Sequence, residues 1–139
     1  MRFLATVVLA GALPAAGLPA RAAAPPPEPV KAVLVTGAST GIGRKIAERL
    51  AGAGFVVYAT ARKDADLAAL ATIPNVEPLK LDVTRDDEIA AAVEAVTKAG
   101  RGLYGLVNNA GVAVTGSFAD TKPEDFDFVM QANVYGPYK

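Results

Sequence analysis

A chain of 139 residues with a formal net charge of zero, 14 Lys plus Arg against 14 Asp plus Glu, suits one domain or part of one and offers no basic excess to a nucleic acid. It contains no Cys and no His, which excludes disulfides, thiol nucleophiles, Cys or His metal sites and any Ser-His-Asp triad. Hydrophobic residues make up 52% and aromatics 6%, a composition that fits a compact α/β core and not a disordered chain.

The first segment differs from the rest. Arg2 precedes an uncharged stretch, Phe3–Ala20, then Arg21, Ala22–Ala24 and Pro25–Pro27. A positive start, a short apolar run and an Ala-x-Ala-type site describe a secretory signal peptide over 1–24, cleaved after Ala22 or Ala24. A membrane anchor and a misplaced start stay open beside it. Pro14, Pro19 and the many small residues make a poor spanning helix, so no stable membrane insertion is expected. A real leader implies an exported or periplasmic protein; without one the chain is expected in the cytoplasm. Residues 25–30 read as a proline-rich, solvated spacer, and 31–139 as the globular part.

Strand and helix signals then alternate. Ala32–Thr36 is a short run without polar alternation, as in a strand buried on both faces. Ile42–Ala53 carries apolar residues at Ile42, Ile46, Ala47 and Leu50, a helical spacing, and Gly54 is a natural stop. Phe55–Thr60 predicts a second strand, Asp64–Ala71 a short helix and Val76–Leu81 a third strand. Thr84 and Asp87 suggest a capping box before a helix over Ile89–Ala99, and Leu103–Val107 a fourth strand. A second capping box, Thr121 to Glu124, opens a helix over Asp125–Tyr135, which Gly136-Pro137 is expected to end or kink. Such alternation implies a doubly wound α/β fold with a parallel sheet and a ligand site beyond the carboxyl ends of the strands.

The segment Thr36-Gly-Ala-Ser-Thr-Gly-Ile-Gly43 leaves the first strand and opens the first helix, the context of a dinucleotide loop. Gly37 suits the tight turn, Gly41 a close approach of backbone to pyrophosphate, and Gly43 close packing of helix on sheet. A Walker A loop is excluded, because no Gly-x4-Gly-Lys-Ser/Thr occurs.

Glycines at 37, 41 and 43, together with Leu81-Asp-Val83 after the third strand, Asn108-Asn-Ala-Gly111 after the fourth and Asn133 in the last helix, resemble the short-chain dehydrogenase/reductase family. The resemblance covers Lys31 to Lys139 and implies an incomplete Rossmann-type sheet: its first four strands with their helices. It also implies cofactor contacts from Gly37, Ser39, Thr40, Gly41, Ile42 and Gly43, an adenine contact from Asp82 and Val83, and a place beside the nicotinamide ribose for Asn109, Ala110 and Gly111. Asn109 would tie neighbouring strands together, and Asn133 would be the catalytic Asn that holds a water in a proton relay. The implied reaction is carbonyl reduction or alcohol oxidation by hydride transfer, on a small-molecule substrate, in a protein that is a homo-oligomer at full length. A non-catalytic dinucleotide-binding module is the alternative.

An NAD enzyme of this fold usually ends its second strand in Asp or Glu, which binds the ribose 2′-hydroxyl. That position is Ala61 here, and Arg62 follows, able to meet a 2′-phosphate with a planar fork; Lys63 and Arg44 could add charge. NADP(H) is therefore favoured over NAD(H). The family's catalytic Ser and Tyr-x-x-x-Lys are not found in these residues. Tyr135 and Lys139 have the spacing but lie two residues past Asn133, on the wrong helix, and Ser117 lies before it. The chain is thus expected to be a cofactor-binding portion, truncated at its C-terminus and inactive alone.

Overall fold

The computed structural model describes residues 30–139. The expected leader and all of the spacer except the exposed Val30 lie outside the described residues. The elements follow in the order β1 (Ala32–Val35), α1 (Gly41–Gly52), β2 (Val56–Ala61), α2 (Asp64–Ala71), β3 (Val76–Lys80), α3 (Asp86–Lys98) and β4 (Gly105–Val107). A 3-10 turn, Phe118–Asp120, leads into α4 (Pro123–Met130), a π-helical turn over Gln131–Tyr135, and α5 (Gly136–Tyr138). Among the described residues no helix is long and apolar enough to cross a membrane.

All strand pairs are parallel, in the order β3-β2-β1-β4. The period of two in side-chain direction divides each strand between two cores. Val33, Val35, Val57 and Ala59 pack with Ala47 and Ala51 of α1 and Leu70 of α2. Ala32, Leu34 and Tyr58 face the other way and meet Val96 of α3. Helices therefore cover both faces, which is the doubly wound Rossmann arrangement expected from the alternation. Small residues at 47, 51, 59 and 61 bring α1 close to the sheet, and each fully buried Val or Leu adds about 1.5–3 kcal/mol. Pro78 sits inside β3, where its missing N–H is tolerated because β3 is an edge of the described sheet.

Tyr58 is 1% exposed, so its hydroxyl needs a partner. Arg101 supplies one at 3.0 Å, with its guanidinium over the Tyr58 ring and 2.5 Å from Glu77. This knot ties the loop after α3 to β2 and β3.

Two local expectations are corrected, and of a third, an end or a kink at Gly136-Pro137, the end does not occur. Thr84 does not cap α3: Arg85 occupies the N-cap, and the Thr84 hydroxyl donates to the Asp82 carboxylate at 2.7 Å. Thr121 does not cap α4 either: Lys122 is the N-cap, and the Thr121 hydroxyl donates to the Ser117 carbonyl at 3.2 Å. Gly136-Pro137 does not end the last helix. In a regular α-helix the ring of Pro137 would meet the carbonyl of Asn133, and the π turn just before it widens the helix and lets it continue. Gly136 is needed there for another reason, since a Cβ on it would lie 2.9 Å from Val83 Cγ2.

Candidate functional site: a cleft at the carboxyl ends of the strands

The cleft lies where β1, β2, β3 and β4 hand over to their loops, and its volume is about 300 Å³. One wall is the glycine loop, contributing Gly37, Ser39 and Thr40. Gly37 has φ +65°, a left-handed conformation that only glycine adopts freely, and a Cβ there would lie 2.9 Å from Ala110 Cα. Its N–H donates to the Thr60 hydroxyl at 3.3 Å, and the next N–H, from Ala38, donates to the Thr60 carbonyl at 2.7 Å. Thr60 is fully buried beneath the loop and holds it to the end of β2.

The loop then runs into α1. Thr40 at the N-cap makes no side-chain cap, and the first turn carries no acidic residue. Nothing lies within 4 Å of a Cβ built on Gly41, so the backbone there is open to close approach. Ile42 points away from the cleft and is 75% exposed, on an outer surface shared with Arg44 and Lys45. Arg44 is not spare charge for the cleft, because Glu48 holds its guanidinium at 2.8 Å. Gly43 is buried, and a Cβ there would collide with the Asn109 amide and the Gly37 carbonyl.

The adjoining wall is Asn109, Ala110, Gly111 and Val112. The Asn109 amide donates to the Thr36 and Gly37 carbonyls, each at 3.0 Å. The Thr36 hydroxyl in turn accepts from the N–H groups of Asn109 and Ala110, at 3.0 and 2.9 Å. Asn109 thus joins the ends of β1 and β4, as expected, with Thr36 as an unforeseen partner. Asn108 faces away and lines an apolar groove between α3 and β4. Asn133 clamps the far end of this wall: its Oδ1 accepts from Val112 N–H at 2.9 Å, and its Nδ2 donates to the Val112 carbonyl at 2.8 Å.

The third side comes from β2 and β3. Ala61 is buried and brings a methyl group to the cleft at the end of β2. Arg62 is largely exposed, with a guanidinium nitrogen 3.8 Å from Asp82 Oδ2. Asp82 Oδ1 accepts from Thr84 N–H and hydroxyl at 2.9 and 2.7 Å. Burial pushes the Asp82 carboxyl up, but the two Thr84 hydrogen bonds and the charges of Arg62 and Arg85 outweigh it and hold the group below the ordinary aspartate value. Val83 and Thr84 complete this side, with Phe128 and Ala132 from the last helix. Thr60, Thr84 and Phe128 were missed by sequence reasoning. Their one sequence signal is a hydroxyl or a ring close to a strand end, which many ordinary residues share.

The Lys139 ammonium is held by Asp86 at 2.6 Å. Among the described residues there is no cluster of acidic side chains able to hold a metal.

Four parallel strands, a glycine loop leading into a helix, and a cleft at the strands' carboxyl ends define a dinucleotide-binding domain of the Rossmann type. The model of the short chain dehydrogenase family matches residues 31–139, and the chain belongs to that family. It is 38% identical over 112 residues to the 3-oxoacyl-[acyl-carrier-protein] reductase of Aggregatibacter actinomycetemcomitans, covering 76% of this chain and 46% of the relative. A variant actinorhodin polyketide ketoreductase solved with NADPH superposes with a TM-score of 0.74 at 33% identity, over 78% of this chain and 44% of that one. The 3-ketoacyl-(acyl-carrier-protein) reductase of Brucella melitensis, solved with NADH, gives a TM-score of 0.73 at 33% identity, over 78% and 46%. The chain therefore spans less than half the length of these relatives.

Proposed function

We propose that the chain is the cofactor-binding portion of an NADP(H)-dependent oxidoreductase that interconverts a carbonyl and an alcohol. The observation that carries this reading is the cleft, into which separate parts of the chain bring the glycine loop, Arg62, Asp82 and Asn109–Gly111. A nicotinamide dinucleotide bound there would supply or accept the hydride. The uncapped N-terminus of α1 and the open backbone at Gly41 suit a pyrophosphate, since both offer N–H donors without a competing carboxylate. Asp82 and Val83 stand on the adenine side.

Arg62 serves the 2′-phosphate. The acid that would repel a phosphate is replaced by Ala61, and the exposed guanidinium is free to turn from its weak contact with Asp82. Asn109 shapes the wall beside the nicotinamide end without spending its amide on the ligand. Asn133 keeps the family's water-holding role. Val112 occupies both ends of its amide, so a water there meets its main-chain carbonyl.

The test is a fluorescence titration of the chain with NADPH and with NADH. NADPH binding about tenfold or more tighter than NADH supports the reading, as a charge-assisted pair on the 2′-phosphate contributes about 1.5–3 kcal/mol. Equal affinities remove the NADP(H) preference, and no binding of either removes the cofactor role.

A further inference from the structure

Asp82 is the first residue past the backbone ladder between β3 and β2, whose last rung is Leu81 N–H to the Ala61 carbonyl at 3.1 Å. Beyond that rung the chain leaves the sheet, and the main chain of Asp82 needs some other anchor. A turn bond from Arg85 N–H to the Asp82 carbonyl, at 3.0 Å, closes the loop on itself without fixing it to anything else. The anchor is Glu88, in the first turn of α3. Its Oε2 accepts the Asp82 N–H at 2.6 Å, and its Oε1 lies 3.3 Å from the Arg85 guanidinium. The carboxylate is mostly buried, with 22% of the side chain exposed.

We infer that Glu88 is a positioning residue for the adenine end of the cleft. It does not itself line the cleft, whose residues on this side are Leu81, Asp82, Val83 and Thr84. It acts through Asp82. The N–H of that residue is fastened by Glu88 while its carboxylate is fastened by Thr84, so one oxygen, Oδ2, is left toward Arg62 and the cleft. Because α3 is seated on the sheet through Val96, the bond to Glu88 sets the height of the adenine rim against a rigid element. The inference rests on the cofactor reading given above and adds to it the residue that shapes one subsite.

What Glu88 must supply is reach and an acceptor oxygen, not charge. Glu88→Gln keeps both. Glu88→Asp keeps the charge and the acidic first turn of α3 but falls one methylene short of the Asp82 N–H. The experiment is calorimetric titration of the full 139-residue chain and these two variants with NADPH, with adenosine 2′,5′-bisphosphate and with reduced nicotinamide mononucleotide, which carries no adenine. Glu88→Asp is expected to bind the two adenine-containing probes about five- to tenfold more weakly, the scale of one lost hydrogen bond, and Glu88→Gln within about twofold of wild type. The mononucleotide is expected to bind all three proteins alike. Two results overturn the inference: Glu88→Asp matching wild type on the adenine probes, or mononucleotide binding falling in step with them. The reverse order, Glu88→Gln weak and Glu88→Asp unchanged, overturns it in favour of a charge effect. If the wild-type chain binds neither adenine probe, the cofactor reading fails and this inference goes with it.

Discussion

The side-chain amide of Asn109 donates at 3.0 Å to the carbonyls of Thr36 and Gly37, residues 73 and 72 positions earlier in the chain. Two strand ends, a glycine loop and the wall of the cleft are joined by one amide group. Asn109→Ala leaves both carbonyls without that donor and is expected to cost about 2 kcal/mol. Asn109→Asp is expected to cost more, because a carboxylate has no hydrogen to offer. Urea unfolding of the three proteins measures both, and a neutral Asn109→Ala would show that the amide is dispensable.

Gly43 makes room for that amide. Gly43→Ala puts a methyl group onto the Asn109 side chain and the Gly37 carbonyl, and is expected to destabilise by about 1–3 kcal/mol and to weaken NADPH binding. Gly52→Ala is the control at the other end of α1, where nothing lies within 4 Å of the new Cβ. It is expected to be neutral or mildly stabilising. Thermal melts of both variants decide whether contact or helix propensity governs the loss.

Arg62→Ala is expected to weaken NADPH binding about tenfold or more and to leave NADH binding within about twofold. The site is exposed, so the wild-type preference is expected to shrink between low salt and about 0.5 M NaCl. Equal losses for both nucleotides would assign Arg62 to the shared part of the cofactor instead.

Asp82 predicts a pH dependence. Its carboxyl is held below the ordinary value in the folded chain, so the folded state binds a proton less readily than the unfolded one. The resulting stabilisation is present in full above about pH 4 and is lost as the pH falls through the lower folded value. Asp82→Asn is expected to be less stable than wild type at neutral pH, with the difference narrowing below about pH 4. Urea midpoints measured from about pH 2.5 to 7 test the sign, and a difference constant across that range would contradict it.

Arg101→Ala is expected to cost about 1–3 kcal/mol, since it leaves the buried Tyr58 hydroxyl without its partner. Pairing the change with Tyr58→Phe should recover part of the loss, which a double-mutant cycle by chemical denaturation reads directly.

Much of the site was legible because its signals are local. Gly37, Asp82 and Asn109 each follow a strand signal closely in the chain, and the helix over Asp64–Ala71 matches its expected bounds. The two capping boxes were misread for one reason. A Thr followed by an acid three residues later says nothing of competing acceptors, and Thr84 and Thr121 found Asp82 and the Ser117 carbonyl instead.

The sequence by itself determined the order of elements, the parallel sheet and the chemistry around the glycine loop, because periodicity and backbone preference act over a few residues. Only the tertiary structure decided which side chains share the cleft and which leave it. It turned Ile42 outward, paired Arg44 with Glu48 and brought Arg62 to Asp82. It also carried the last helix through Gly136-Pro137, where Gly136 lies against Val83. These outcomes depend on distances between groups that packing alone sets, and no local preference in the chain encodes them.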